Sequence, residues 1–205
     1  MARRLMIYDD TCRGQDGRLP LTWAWSAGGP LYRSLGRLDA ARGITSWAEG
    51  LDWLASQQAP IAEVQFWGHG RWGRALVGTE TLDASALQAD HPLHPALTRI
   101  RANLAGPDAL WWWRTCETYG AIPGQRFAEQ WSTFLGCRSA GHTHIIGVWQ
   151  SGLRGIRPGQ TAWWDADEGL RAGTPEAPQE ACGSGPTVPD TISFLTGTIP
   201  ARCWR

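Results

Sequence analysis

Two short apolar segments of the chain each lead into a residue that can do chemistry. Residues 64–67 (Val-Gln-Phe-Trp) precede Gly-His-Gly with His69 at its centre, and residues 109–113 (Ala-Leu-Trp-Trp-Trp) precede Arg-Thr-Cys, which ends at Cys116. Continuous apolar runs of this length are typical of strands buried on both faces of a parallel sheet. Two such strands side by side would bring an imidazole and a thiol to the carboxyl edge of the sheet, where open α/β folds bind ligands.

Three further segments have helical periodicity. Ser46 and Glu49 have the spacing of a capping box, and apolar residues recur at helical intervals after them, which predicts a helix over 46–57. A second stripe predicts a helix over 97–106, where Gly-Pro ends it. A third stripe predicts a helix over 127–135 that the following glycine terminates.

Two more segments predict strands. Residues 4–8 form a short apolar run closed by Asp9 and Asp10, and residues 143–149 (Thr-His-Ile-Ile-Gly-Val-Trp) form another. The pattern of residues 18–35 is ambiguous and predicts no particular element. The alternation of strands and helices predicts an α/β fold with a mostly parallel sheet, flanked by helices on both faces and joined by right-handed crossovers.

Chain length favours a single domain over residues 1–205. Residues 1–150 carry the strand and helix patterns and form the expected α/β core. Residues 151–205 predict a loop-rich C-terminal extension, with a possible final strand over 191–204. Within the extension, residues 172–190 are rich in Gly, Pro, Ala, Ser and Thr, which is typical of a mobile loop or linker.

Composition argues against several functions. The 19 basic and 19 acidic side chains cancel without a dense basic block, so we expect no nucleic acid partner. No stretch approaches the ~20 apolar residues of a membrane span, and we expect a cytoplasmic protein without a membrane partner. The five cysteines lack CxxC spacing, which argues against a zinc site or a disulfide framework. Cys182 and Cys203 could still pair in an oxidising compartment.

Fourteen tryptophans are more than average composition supplies. Large rings usually fill cores and cover interfaces, and we prefer that interpretation. The alternative is an exposed aromatic platform that binds sugars or apolar ligands.

His69 and Cys116 together have the chemistry of a nucleophilic pair. A thiol attacks as the thiolate, and a nearby imidazole favours that state and later hands a proton to the leaving group. Gly70 lets the backbone pass close to a substrate, and its N–H together with that of Cys116 would stabilise an oxyanion. Either side chain alone would more simply be a packing residue, so the pairing at matching strand ends is what predicts acyl transfer.

The order of these features resembles the caspase-like (clan CD) cysteine peptidases, the group that includes caspases, metacaspases, gingipains, legumain, separase and bacterial CHAT domains. The spacing between His69 and Cys116 is close to the ~50 residues found in caspases. The Cys-Glu-Thr sequence at Cys116, a nearby glycine, a helix and residues 145–149 (Ile-Ile-Gly-Val-Trp) are similar to the CHAT pattern around its cysteine. The resemblance covers about residues 62–150.

The resemblance implies a caspase-like fold and a division of roles at the site. Cys116 would be the nucleophile and His69 the general base and acid, while the amides of Gly70 and Cys116 would form the oxyanion hole. Residues 172–190 would be a linker cut during self-processing, because members of the family often mature by nicking a flexible loop.

Three charged residues are candidates for substrate binding. In metacaspase-like relatives an acidic residue near the end of the first strand helps form a pocket for basic side chains, which would assign that role to Asp9 and Asp10. CHAT sequences usually have two small residues directly before the cysteine, whereas this chain has Arg114 and Thr115 there. Arg114 would hold the thiolate or an acidic substrate side chain, or form a structural ion pair, and the sequence does not decide.

The sequence therefore predicts a cysteine endopeptidase that cleaves a protein or peptide substrate through an acyl-enzyme. No cofactor is expected. No metal is expected either, because the HxH spacing of His142 and His144 lacks a third ligand. One alternative is a catalytically inactive caspase-like module with a Trp-rich partner-binding surface. Another is an amidase or transpeptidase that uses the same two residues. The sequence does not indicate an oligomeric state.

Overall fold

A computed structural model describes residues 2–14, 21–58 and 60–205. Along the chain, the elements are β1 (Arg3–Asp9), α1 (Leu21–Ser34), β2 (Ala40–Ile44), α2 (Trp47–Ala55), β3 (Ile61–Trp67), β4 (His69–Gly70), β5 (Ala75–Val77), β6 (Glu80–Leu82), a 3-10 helix (Ala84–Leu87), α3 (His94–Asn103), β7 (Leu110–Arg114), α4 (Ala121–Leu135), β8 (Arg138–His142), β9 (Trp149–Gln150), β10 (Leu153–Ile156), β11 (Leu170–Gly173), β12 (Pro178–Ala181), β13 (Ile192–Ser193) and a second 3-10 helix (Ala201–Cys203).

A six-stranded sheet with the order β10-β8-β7-β3-β1-β2 forms the centre of the fold. Neighbouring strands pair in parallel, except that β10 runs antiparallel to β8. Apolar residues of α2, α3 and α4 pack against one face. Tyr32 of α1 packs against Met6 and Trp67 on the other face. The predicted α/β class with a mostly parallel sheet is confirmed.

The three helices with clear periodicity are present as α2, α3 and α4. The Ser46 hydroxyl accepts from the Glu49 N–H at 3.2 Å, and the Glu49 carboxylate accepts from the Thr45 N–H at 2.9 Å, so Glu49 reaches back as in a capping box. Gly136 ends α4 with a φ of +65°, a left-handed cap. Within the described residues, none of the helices combines the length and apolar character that crossing a membrane requires.

The segment that the sequence left undecided forms α1, although it contains Gly28, Gly29 and Pro30, all poor helix formers. The two glycines let the helix lie very close to the sheet. A Cβ at Gly28 would lie 3.2 Å from the Trp67 ring, and one at Gly29 would lie 2.9 Å from Ala41. Tertiary packing therefore makes a helix here against the local propensity.

The strand predicted over 143–149 is wrong, because the chain forms β8 just before it. The sequence of β8 is Arg-Ser-Ala-Gly-His, which carries little hydrophobic signal. Its small residues leave room for an aromatic ring, since a Cβ at Gly141 would lie 2.7 Å from Tyr119, and the Ser139 hydroxyl is hydrogen-bonded to the Tyr119 hydroxyl. Residues 145–149 instead form a loop that leads into β9 at Trp149. Ile145, Val148 and Trp149 are exposed, and Ile146 is half-buried.

Most of the large rings lie in the core, as the preferred interpretation of the tryptophans predicted. Trp131 of α4 packs against both Trp111 and Trp113 of β7, with ring centroids 5.1 and 5.0 Å away. Two tryptophans are exceptions, because Trp23 is 71% exposed and Trp149 is 43% exposed. The fully buried tryptophans are Trp47, Trp111, Trp112, Trp113 and Trp131.

The C-terminal extension is built into the fold. β10 is an edge strand of the main sheet, β11 and β12 form a hairpin, and β13 pairs with β9. The predicted final strand over 191–204 is reduced to β13 and a 3-10 helix, in which Cys203 is buried. Cys203 and Cys182 are both free thiols.

Residues 172–190 are ordered by hydrogen bonds rather than forming the expected mobile linker. Most of the β11–β12 hairpin lies within them. Beyond it, the Ile145 N–H donates to the Cys182 carbonyl and the Ser184 N–H donates to the Ile145 carbonyl, each at 2.9 Å. This segment therefore supports the 145–149 loop.

Candidate active site

The register of β3 and β7 sets the positions of the two predicted chemical residues. These strands are parallel neighbours, and Trp67 pairs with Arg114. His69 and Cys116 each lie two residues beyond this pair. Both therefore leave the carboxyl edge of the sheet at the same level, on adjacent strands.

Gly70 is the point at which the histidine loop touches the cysteine loop. A Cβ at Gly70 would lie 2.9 Å from the Cys116 carbonyl oxygen and closer still to the Thr118 hydroxyl. The next turn is joined to the same loop, because the Trp72 N–H donates to the Glu117 carbonyl at 3.1 Å. Glycine is thus needed at this position for the approach of the cysteine loop, a close contact that the sequence assigned to a substrate.

The thiol of Cys116 is half-buried and lies against the backbone of Ile146. The Ile146 N–H donates to Sγ at 3.4 Å, and Sγ lies 3.9 Å from the Ile146 carbonyl oxygen. Burial raises the pKa of the Cys116 thiol; the Ile146 N–H opposes this, and the nearby Glu117 carboxylate adds to it. A thiol with a raised pKa is mostly protonated at neutral pH, so it needs a base before it can attack.

Glu117, directly after the cysteine, combines backbone strain with a buried charge. Its φ of +43° is left-handed, a conformation that costs on the order of 1–3 kcal/mol for a residue other than glycine. Its N–H donates to the His144 carbonyl at 2.9 Å. Its side chain is 11% exposed, and Oε1 lies 3.9 Å from Arg71 Nε. Burial raises the pKa of this carboxyl, and Arg71 lowers it only in part.

Strain and desolvation of this kind concentrate at functional sites, so Glu117 belongs to the candidate site. The sequence analysis assigned it no role. Its position next to the nucleophile was the only available signal, because neither its left-handed backbone nor its burial can be read from residue types.

His69 is half-buried, and its ring packs edge-on against Trp25 of α1, with centroids 5.4 Å apart. No hydrogen bond fixes the imidazole among the residues that the structure describes. Catalytic hydrogen bonds often tighten only when a substrate is bound, so this arrangement is compatible with a general base. Trp25 was missed by the sequence analysis because α1 itself was not predicted.

The two proposed oxyanion donors differ in their surroundings. The Cys116 N–H donates to no acceptor in the described part of the chain, which leaves it available for a substrate oxygen. Gly70 lies in β4 and pairs with Ala75 of β5, so its backbone position is fixed by the small sheet. Fixed backbone donors are what stabilisation of a developing oxyanion requires.

Arg114 does not face the site. It is 2% exposed, and its guanidinium donates to the Tyr32 hydroxyl at 2.6 Å, the Gln150 side-chain oxygen at 2.9 Å and the Phe194 carbonyl at 2.9 Å. Its charged group also lies 4.3 Å from the centre of the Trp112 ring. No carboxylate of the described residues lies within ion-pair distance. The expected roles in binding substrate or thiolate, and the alternative of an ion pair, are replaced by an anchor for the C-terminal extension.

Asp9 and Asp10 are also engaged within the chain. Asp9 is 1% exposed, and its carboxylate accepts from the Thr11 N–H at 2.8 Å and from the Thr11 hydroxyl at 2.6 Å, the geometry of a turn former. Asp10 forms an ion pair with Arg13 at 2.5 Å. A basic substrate side chain would have to displace Arg13 to reach Asp10, and Asp9 is not accessible to it.

The loop beside the thiol was not recognised as part of the site. It contains three exposed apolar side chains, Ile145 at 46%, Val148 at 63% and Trp149 at 43%. Because Ile146 of the same loop contacts Sγ of Cys116, these side chains lie on the rim of the site. The apolar pattern suggested burial, whereas the structure places the apolar groups in solvent.

The histidines with HxH spacing do not form a metal site. His142 is fully buried, and its Nδ1 lies 3.1 Å from the Ser151 carbonyl oxygen; burial lowers the pKa of His142 to about 3. Nδ1 of His144 lies 2.9 Å from the Thr143 hydroxyl. Across residues 2–14, 21–58 and 60–205, no three His, Cys, Asp or Glu side chains are grouped to hold a metal ion.

Comparison with known proteins finds no family model that matches the chain and no significant match among curated proteins. The case for a function therefore depends on the geometry at the ends of β3 and β7.

Proposed function

We propose that this chain is a cysteine endopeptidase of the caspase-like type, with Cys116 as nucleophile and His69 as general base and acid. The observation that carries the proposal is the register of β3 and β7, which takes both residues off the sheet at one level. The contact between Gly70 and the Cys116 loop supports it, because it holds the two loops together. A protein or peptide is the proposed substrate.

The first half of the reaction forms the acyl-enzyme. Because the pKa of the thiol is raised, the resting nucleophile is protonated and His69 takes its proton as Sγ attacks the peptide carbonyl carbon. The carbonyl oxygen then carries the negative charge, which the N–H groups of Cys116 and Gly70 stabilise. The C–N bond breaks as His69 returns the proton to the leaving amine.

The second half releases the acyl group. Water takes the place of the amine, His69 removes its proton, and attack on the thioester carbon gives the carboxylic acid and the thiol. Sγ must leave the Ile146 N–H for the first attack and can return to it at the end of the cycle. The exposed Ile145, Val148 and Trp149 favour peptides with apolar side chains near the scissile bond.

The test is the cleavage of a peptide library, read by mass spectrometry, with wild-type protein and with Cys116→Ala and His69→Ala. We expect both variants to lose cleavage while keeping the circular dichroism and unfolding midpoint of the wild type. Cys12→Ala is the matched control, because Cys12 is another half-exposed thiol, and it should cleave as the wild type does. Cleavage by Cys116→Ala at the wild-type rate would refute the proposal, and ligated peptide products would indicate a transpeptidase.

A second candidate function is a catalytically inactive module that binds a partner through the apolar rim of the site. The raised pKa of Cys116 and the lack of a hydrogen-bond partner for His69 among the described residues favour it. Iodoacetamide labelling of Cys116 at neutral pH distinguishes the two functions. In a peptidase, His69→Ala slows the labelling because the base is lost. In a binding module, the same substitution leaves the rate unchanged.

A further inference from the structure

A cavity of about 660 Å³ opens beside the loop that follows Gly70. Arg71 and Arg74 of that loop, Arg126 of α4 and Glu176 at the turn of the β11–β12 hairpin are among its lining residues. The volume falls in the range of small-molecule sites, about 300–1,000 Å³. None of the residues proposed for catalysis lines it.

Three arginines bring positive charge to this cavity. Arg71 lies over the Trp72 ring at 4.5 Å and donates to the Gln179 carbonyl at 3.1 Å. The guanidinium groups of Arg74 and Arg126 have no hydrogen-bond or ion-pair partner in the part of the chain that the structure describes. Two cationic groups that the fold does not use therefore converge on the same space from different elements.

Two carboxylates also line the cavity, but one is already engaged. Asp83 accepts from the N–H and the hydroxyl of Ser85, at 2.9 and 2.6 Å, and so caps a 3-10 helix. Glu176 forms no ion pair with the arginines within the described residues. Arg71 already has a carboxylate partner, because Glu117 Oε1 lies 3.9 Å from its Nε. The positive charge open to a ligand therefore comes from Arg74 and Arg126, and Glu176 can accept a hydrogen bond from the same ligand.

The rest of the wall is mixed. Trp72, Phe127 and Pro123 line the cavity, but Trp72 is only 6% exposed and Phe127 only 1% exposed, and Gln130 adds a polar side chain. Concave sites with a few convergent polar groups are a usual form of small-molecule site. Guanidinium groups match the geometry of phosphate oxygens and bind them through paired hydrogen bonds.

We propose that this cavity is a binding site for a small phosphate-bearing anion. The phosphate lies against Arg74 and Arg126. The site is separate from the thiol and does not depend on the proposed peptidase activity.

Titration calorimetry at low ionic strength tests this with inorganic tripolyphosphate and adenosine triphosphate as probes, because exposed charges are screened by salt. We expect both probes to bind the full chain with similar affinity, because their phosphate groups make the contacts with Arg74 and Arg126. Arg74→Gln and Arg126→Gln should each weaken binding about tenfold, the loss of one charge-assisted pair of hydrogen bonds. Both residues are exposed, so unfolding midpoints should not change.

Arg33→Gln on α1 is the matched control, since it removes one exposed arginine remote from the cavity lining. It should bind both probes as the wild type does. Equal weakening in all three variants would mean a general charge effect and would overturn the proposal. So would the absence of binding to the wild type, or binding of a hexaglutamate peptide alone, which would make this surface a peptide-docking site.

Discussion

The two faces of β7 are packed by different interactions. Trp111 and Trp113 face the helices and lie among other rings, and their indole N–H groups have no partner within the described residues. Arg114 faces α1 and the C-terminal extension, where Tyr32 and Phe194 accept hydrogen bonds from its guanidinium. One face gains stability from buried area alone, and the other combines the buried area of Leu110 and Trp112 with directed polar contacts.

The difference shows which part of the fold holds the extension in place. The hydrophobic effect that favours burial of the rings is non-directional. The contacts of Arg114 are specific, since its acceptors on Tyr32 and Phe194 are 82 and 80 residues away in sequence. The polar face therefore ties α1 and the extension to the sheet next to the candidate site.

The largest effect is expected from substitutions that break either face. Trp113→Ala should lower the free energy of unfolding by roughly 3–5 kcal/mol, the usual cost of removing a buried large ring. Arg114→Met should cost about 2–3 kcal/mol, because its acceptors lose their donor while the cost of burying a cation is relieved. Urea unfolding followed by circular dichroism measures both.

Hydrogen exchange separates the two variants. The amides of residues 192–196 should lose protection in Arg114→Met, because Phe194 and Thr196 are released from the guanidinium. In Trp113→Ala they should exchange only with global unfolding. Equal protection of these amides in both variants would contradict the assignment of Arg114 as the anchor.

An intermediate effect concerns His142, which lies on the Arg114 face with its pKa lowered to about 3 by burial. Below pH ~6.5 the unfolded chain takes up a proton at this residue that the native state does not. The free energy of unfolding therefore decreases as the pH is lowered. His142→Asn keeps a donor for the Ser151 carbonyl but cannot titrate. Between pH 7 and pH 5 the wild type should lose roughly 2 kcal/mol more than the variant in urea unfolding. Parallel losses would show that this imidazole is charged in the native state.

The smallest effect is expected just beyond the carboxyl end of β7, next to the Cys116 thiol. Glu117→Gln removes a negative charge, so the pKa of Cys116 should fall and its alkylation by iodoacetamide at neutral pH should speed up about threefold. Glu180→Gln is the control, because this exposed carboxylate pairs with Arg171 on the hairpin. A slower reaction in Glu117→Gln would mean that the carboxylate positions the thiol and does not repel its charge.

Local patterns predicted the elements whose stability is mostly local or apolar. The capping box at Ser46 and the glycine at Gly136 marked the helices α2 and α4, and the apolar runs marked β3 and β7. Two of the missed elements, α1 and β8, contain glycines where the chain must approach a large ring, Trp67 or Tyr119. Close packing of this kind overrides propensity, and no residue pattern announces its partner.

For the candidate site, the sequence identified His69 and Cys116 because strand ends and reactive residue types are local features. It could not tell that Arg114 and Asp9 point into the protein, since a charged residue near a strand end serves a substrate or a fold equally well. The sequence analysis missed Trp25 as part of the site because it did not predict α1. It missed the Ile145–Trp149 loop because it predicted a buried strand there.

The amino-acid sequence by itself determined the alternation of strands and helices, the parallel character of the sheet and the two residues that follow its central strands. These follow from periodicity and chain stereochemistry, which act over a few residues. Only the tertiary structure decided the direction of the charged side chains, the burial and raised pKa of the thiol, and the cavity lined by three arginines. Those properties arise from contacts between segments that are distant in sequence. The energies of these contacts depend on which groups lose their hydration on folding and which protein groups replace the water.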